Sequence, residues 1–252
     1  MKIEVVLTPA ELPALAGRNL RNTTCVVFDV LRATSAFVTA LRNGAKAVVP
    51  VSEIAEALAL RQKQPDVLLG GERGGVTIRA AQTGGIDFDL GNSPREYTPE
   101  KVRGKTIIST TTNGTRALRA CAGAKTVLAA SFLNLAATAK FIKKLPPAQV
   151  LLVCAGTHED TALEDVLAAG MLCETLADDS TAWKLSDAAE IAQCVYAQAK
   201  SDLAAAVCRS ENARRLLGIS ELRDDVPFCL QYDRYPLVVK RAEGVAAFVS
   251  VT

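Results

Sequence analysis

One histidine and one tryptophan occur in 252 residues, and aromatic side chains make up only 5% of the chain. A Ser-His-Asp triad, a two-histidine zinc site and a phosphohistidine relay would all compete for the lone imidazole of His158, so most histidine-dependent chemistry falls away. Sparse aromatics leave little for base stacking, and a formal net charge of +2 gives no basic field for nucleic acid or a membrane surface. Seven cysteines form no C-x-x-C pair and are odd in number, which argues against structural disulfides and zinc ribbons. Several lie in apolar runs and read as core fillers. The first residues, MKIEVVLTPAEL, are too short and polar a pattern for a signal peptide or a membrane span. Free thiols without an export signal point to the cytoplasm. Two phosphate-handling signatures are also missing. There is no Walker A loop, and the first buried strand ends Asp29-Val30-Leu31 rather than in D-x-D.

What is present is an alternation. Short β-branched runs (TCVVFDV, KAVVPV, PDVLLG, KTIIST, KTVLAAS, QVLLVCAG) are separated by stretches with helical apolar spacing. This predicts an α/β fold, a layered sheet of mostly parallel strands flanked by helices. Ser93-Pro94-Arg95-Glu96 has the form of a capping box with proline at the first helical position, so a helix is expected there. Beyond residue 180 the pattern changes to an additional C-terminal α+β portion. SDAAEIAQCVYAQAKSDLAAAVCRS predicts one long helix, and VPFCLQYDRYPLVVKRAEGVAAFVSV a return to strands. Residues 1–252 read as a single unit, with a soft lobe boundary near 178–186.

The polar clusters fall where strands end and helices begin, the usual ligand side of an open α/β sheet. Asp29 and Arg32 follow the first buried strand. Glu72 and Arg73 follow the third, in GGERGG, whose four glycines predict a turn or a close backbone approach. STTTNGTR follows the fourth strand. Its threonines and the Asn113-Gly114 turn at a helix start form either an anion cradle, with Arg116 and Arg32 as further donors, or an ordinary threonine-rich cap. AGTHED follows the sixth strand, with Glu164 and Asp165 one turn into the next helix. Carboxylates without histidine partners suit a hard cation, and magnesium with phosphate is the usual pairing. Metal-assisted phosphoryl transfer, with water or an aspartate as nucleophile, survives the elimination.

VFDVLRATS, GGERGG, DFDLGNSPREYT, STTTNGTRAL and CAGTHEDTALEDVLAAG, in this order, resemble the 2-phosphosulfolactate phosphatase family. RSENARRLLG and DDVPFCLQYD extend the likeness more weakly towards the C-terminus. His158 and Glu159 depart from the family's pattern of an Asp/Gly-type turn, and Ala213 stands in place of a glycine. The resemblance implies a Mg²⁺-dependent acid phosphatase acting on (R)-2-phospho-3-sulfolactate in coenzyme M synthesis. It carries over Asp29, Arg32, Glu72, Arg73, Asn92, Ser93, Thr111 to Arg116, Glu164 and Asp165. With the strand-end reading, this gives a specific expectation. Asp29, Glu72, Glu164 and Asp165 supply the metal ligands, and Asp29, Arg32 and Arg116 the catalytic groups. Arg73, Asn92, Ser93, Arg95, Thr111, Thr112, Asn113, Gly114 and Thr115 bind substrate, with Arg73 or Arg95 taking its sulfonate or carboxylate. The partner is then a small phosphorylated acid, with neither nucleic acid nor membrane. A phosphatase of another small phospho-acid and a non-catalytic binder of phosphorylated metabolites are the rivals. Oligomeric state is left open, a homo-oligomer included.

Overall fold

The computed structural model describes residues 1–177 and 183–251. Its strands are β1 (Lys2–Val6), β2 (Thr23–Phe28), β3 (Ala47–Pro50), β4 (Leu68–Arg73), β5 (Val76–Thr77), β6 (Thr106–Thr110), β7 (Thr126–Ala130), β8 (Gln149–Cys154), β9 (Lys184–Leu185), β10 (Val238–Arg241) and β11 (Phe248–Val251). They form one sheet in the order β5-β4-β6-β3-β11-β10-β7-β2-β8-β1-β9. Two parallel blocks, β4-β6-β3 and β7-β2-β8-β1, are joined by the antiparallel pair β10-β11. The expected α/β class with a mostly parallel sheet is thus what the chain builds.

All six residues of β2 are buried. Alternate side chains point to opposite faces of a strand, and here each face meets its own layer of helices. Val26 and Phe28 pack with Leu167, Leu172 and Ala192 of the helices Leu163–Ala177 and Asp187–Ala199. Cys25 and Val27 pack with Phe37, Leu41 and Leu118 of the helices Ala33–Arg42 and Gly114–Ala120. That two-sided burial is why the sequence shows unbroken apolar runs rather than alternation.

The antiparallel joint reverses the sense of the two blocks, so in a flat sheet their carboxyl ends would lie at opposite edges. They meet instead, since residues at or after the ends of β2, β4, β6 and β8 line a single cleft; β11 touches β3 through one residue pair, Phe248 with Val48. The polar strand ends of β2, β4, β6 and β8 thus converge on one place.

Several local expectations need correction. Glu72 and Arg73 lie inside β4, not in a turn, and the chain reverses only at Gly74-Gly75 before β5. The expected close backbone approach is present: a Cβ on Gly71 would stand 2.0 Å from the Thr110 carbonyl oxygen. Pro94–Glu96 is a single 3₁₀ turn rather than an α-helix start. Ser93 Oγ donates to Asp225 instead of capping, and Glu96 accepts from the Gly91 amide. The long C-terminal helix is broken into Asp187–Ala199, a 3₁₀ turn Lys200–Asp202, and Leu203–Cys208, because Asp202 starts a new cap on Ala205 N. Val226–Cys229 lies in the helix Asp225–Cys229, not a strand. Part of the soft boundary, residues 178–182, lies outside the described residues. All seven cysteines are free; Cys194 is exposed and Cys208 half-buried, while the other five fill the core as expected. Among the described residues no helix is long and apolar enough to cross a membrane.

Candidate active site

Asp29 lies just past the end of β2, where two helices begin. Its Oδ1 accepts from the Ala33 amide at 3.1 Å, at the start of the helix Ala33–Arg42. Its carboxylate also accepts from the Gly114 amide at the start of the helix Gly114–Ala120. A Cβ at position 114 would stand 2.6 Å from Asp29 Oδ2, so only glycine lets the second helix begin so close. Burial pushes the Asp29 carboxyl up to about 6, with the charges of Glu72 and Glu164 adding to the rise and the two amides opposing it. Several carboxylates thus crowd one small, dry volume.

Glu72 reaches that volume from β4, the strand that continues through Gly70 and Gly71. Its Oε2 accepts from Gly75 N at 2.7 Å, and its Oε1 from Thr112 N and Thr112 Oγ1 at 2.9 Å each. Glu164, 1% exposed, accepts from Asn212 Nδ2 through Oε1 at 2.8 Å, while its Oε2 is buried without a partner. Asn92 Oδ1 is also buried and unpartnered. A buried acceptor without a donor is costly, and a cation would satisfy both atoms.

Asp165 behaves differently from its neighbour. Its Oδ1 accepts from Val30 N at 2.8 Å and its Oδ2 from Gly156 N at 3.1 Å. It ties the loops after β2 and β8 together and, unlike Asp29 and Glu72, does not line the cleft, and so departs from the expected ligand role. Burial and the charges of Glu164 and Asp29 push its carboxyl well above the usual range. Among the described residues no three His, Cys, Asp or Glu side chains stand together at metal-ligand spacing. The donor set offered to a cation is therefore mixed: the Asp29 and Glu72 carboxylates facing the cleft, with Glu164 Oε2 and the Asn92 amide oxygen as the free acceptors.

The arginines are distributed otherwise than expected. Arg32, 3% exposed, lines the cleft, with Nη1 on Asp225 Oδ2 at 2.7 Å and Nη2 on the Gly75 carbonyl. Arg73 turns away because its position in β4 alternates with that of Glu72. Its guanidinium bonds the Ser52 carbonyl and Thr110 Oγ1. Arg95 is spent on Asp225 and the Glu221 carbonyl. Arg116 stands at the surface, paired with Glu159. None of these three lines the cleft.

The threonine loop is likewise only partly available. Thr112 and Asn113 face the cleft. Thr111 and Thr115 pair with each other at 3.2 Å through their hydroxyls, and the Gly114 amide serves Asp29. The anion that the helix start attracts is the protein's own carboxylate, which makes this a cap rather than an open cradle. Ser93 is also committed, its hydroxyl donating to Asp225 Oδ1 at 2.6 Å.

The C-terminal portion supplies residues that sequence reasoning did not single out. Asn212 bridges Thr157 Oγ1 and Glu164 Oε1, and Arg215 lines the cleft one helical turn on. Asp225 holds Arg32, Ser93 and Arg95 at once. The signal for Asn212 and Arg215 was their i, i+3 spacing within RSENARRLLG, which puts both on one helix face. Cys208 and Arg214 have the C-x5-R spacing of cysteine phosphatases. However, a helix end and a new helix cap separate them, and Arg214 bonds the Arg209 carbonyl away from the cleft. His158 also lines the cleft, in a tight turn closed by the Thr157–Asp160 pair, with φ of 56°. That left-handed position explains why an Asp/Gly-type turn would suit it.

The mostly parallel sheet flanked by helices, with a carboxylate-lined cleft at its strand ends, defines an α/β protein whose site is polar and acidic. The chain belongs to the 2-phosphosulpholactate phosphatase family, a family of phosphoric monoester hydrolases, whose model matches residues 7–244. It is 41% identical over 236 residues to a "Probable 2-phosphosulfolactate phosphatase" of Caldanaerobacter subterraneus subsp. tengcongensis, covering 92% of this chain and 93% of that one. A protein of the same name from Clostridium acetobutylicum is 37% identical over 245 residues, 97% of this chain and 99% of its own. Another, from Thermotoga maritima, is 40% identical over 222 residues, 88% and 90% of the two chains.

Proposed function

We propose that the protein is a Mg²⁺-dependent, cytoplasmic phosphatase that hydrolyses (R)-2-phospho-3-sulfolactate to 3-sulfolactate and phosphate, the step used in making coenzyme M. The observation that carries the metal dependence is a charge imbalance. Asp29 and Glu72 line the cleft with Glu164 behind them; of the two cleft arginines Arg32 is already neutralised by Asp225, which leaves Arg215 alone against three carboxylates. A phosphoester dianion would be repelled from such a site unless a divalent cation stood between. When bound there, Mg²⁺ would balance the carboxylates and polarise a phosphoryl oxygen.

The protein's own residues do the rest. Asp225 and the Gly75 carbonyl hold the Arg32 guanidinium through Nη1 and Nη2, leaving its other N–H groups for a phosphoryl oxygen. Asn113, whose side chain does not cap its own helix, and Thr112 face the same space. Asp29, ionised above about pH 6, is a proton acceptor that lines the cleft. In the reaction water adds its oxygen to phosphorus, the P–O ester bond breaks, and a water proton ends on the released hydroxyl.

The test is a panel of phosphorylated acids incubated with Mg²⁺ or with EDTA. Phosphate release from 2-phosphosulfolactate should need Mg²⁺, vanish in EDTA and return with excess Mg²⁺. Equal release in EDTA would refute the metal requirement, and binding without any release would leave a metabolite binder instead.

A further inference from the structure

We infer that Arg215 is the specificity residue of this cleft, taking the acid group (carboxylate or sulfonate) that the substrate carries beside its phosphoester. The inference rests on the phosphatase reading above and names the group that reading left without a partner. With Arg73 and Arg95 committed elsewhere, two arginines line the cleft among the described residues, Arg32 and Arg215. Arg32 is held by Asp225, whereas no carboxylate among the described residues forms an ion pair with Arg215. Its guanidinium is nevertheless positioned. Nη2 donates to Asn212 Oδ1 at 3.3 Å, and the same Asn212 amide group donates to Glu164 and Thr157.

The guanidinium rests against the glycine turn. A Cβ on Gly75 would stand 3.6 Å from Arg215 Cζ, and Gly75 has φ of 85°, a backbone state that other residues rarely adopt. Arg215 therefore lies across the bare Gly74-Gly75 turn at the mouth of the cleft. Glu72 is anchored to the same turn from below, through the Gly75 amide. A small molecule with its phosphate over the carboxylate floor directs its second anion towards that mouth. There a planar, unpaired guanidinium offers the fork that a carboxylate or a sulfonate accepts. Asn212 couples the two ends, since one side chain orients both Arg215 and Glu164.

The experiment compares wild type, Arg215→Met and Arg215→Lys on three substrates with Mg²⁺ present. 2-Phosphosulfolactate carries both acid groups, 2-phospholactate only the carboxylate, and phenyl phosphate neither. Arg215→Met should raise KM for the acid-bearing substrates about 10- to 100-fold, with kcat reduced far less, as expected for a lost charge-assisted contact. Its kcat/KM on phenyl phosphate should stay within about twofold of wild type, and Arg215→Lys should fall between the two on the acids. A defect confined to 2-phosphosulfolactate assigns the sulfonate; one shared with 2-phospholactate assigns the carboxylate. Equal loss on phenyl phosphate would overturn the inference by placing Arg215 on the phosphate, and no loss on any substrate would overturn it outright. If wild type releases phosphate from none of the three, the phosphatase reading itself fails, which is a separate outcome. Arg215 is exposed, so the variants should keep wild-type unfolding midpoints.

Discussion

Replacing Asp29 by asparagine should lower phosphate release by about a thousandfold or more, because on the proposed mechanism its charge is what would hold the cation in the cleft. The same change should alter how stability depends on pH in metal-free protein. The wild-type carboxyl titrates at about 6 in the folded chain against a reference of 3.8. The folded state therefore binds more protons than the unfolded state between those values, and the contribution of this group to stability falls as pH rises through that window. Above it, the ionised, buried carboxylate costs roughly 3 kcal/mol. Urea unfolding in EDTA should thus show the stability of wild type, relative to Asp29→Asn, dropping by about that amount between about pH 4 and 7. Any pH-independent effect of the substitution cancels in this comparison. The slope belongs to the whole carboxylate cluster, since the charge of Asp29 also raises Asp165. Mg²⁺ should then stabilise wild type at pH 7 and leave Asp29→Asn nearly unchanged. A difference that stays flat with pH would show that Asp29 is not held at this cost.

The α/β class and the strand-end location of the site were legible because both rest on local pattern. Buried strands such as Thr23–Phe28 announce themselves as apolar runs, and Asp29 and Glu72 stand at or just past strand ends whatever the sheet does next. What was not legible depends on which way a side chain faces and on what arrives from far along the chain. Arg73 is next to Glu72 in sequence, yet strand alternation sends it to the opposite face, onto Ser52 and Thr110. Asp165 follows Glu164 and resembles it, but two backbone amides from separate loops claim it. The Ser93 motif reads as a cap until Asp225, 132 residues away, takes its hydroxyl. Asn212 and Arg215 lie on the helix Glu211–Leu217, which reaches the cleft only after the chain has completed both parallel blocks and before it adds the hairpin that joins them. The glycine run in GGERGG answers to both kinds of cause. Gly75 is required locally, by the φ of 85° at its own turn, while Gly71 is required by the Thr110 carbonyl of β6, 39 residues further on.

Truncating Asp225 should be the most damaging single change to the fold near the cleft. Its carboxylate is fully buried and accepts from Arg32 Nη1 at 2.7 Å, Ser93 Oγ at 2.6 Å and Arg95 Nε at 2.8 Å. Asp225→Ala leaves the buried Arg32 guanidinium without a counter-charge, a loss that typically costs about 3–5 kcal/mol. The Ser93 hydroxyl loses its acceptor as well, adding about 1 kcal/mol or more. Asp225→Asn keeps the volume and one acceptor, so it should recover part of the stability but not the charge that holds Arg32 in place. Combining Arg32→Met with Asp225→Ala removes both buried charges, and the double variant should be more stable than Asp225→Ala alone. It should stay inactive, because the buried guanidinium that lines the cleft is gone. Chemical denaturation of wild type, Arg32→Met, Asp225→Ala and the double variant gives the coupling directly, and additive losses would mean that the two side chains do not depend on each other. Activity read in parallel separates the two roles of Arg32: stability should follow the pairing, while turnover should follow the presence of a correctly held guanidinium.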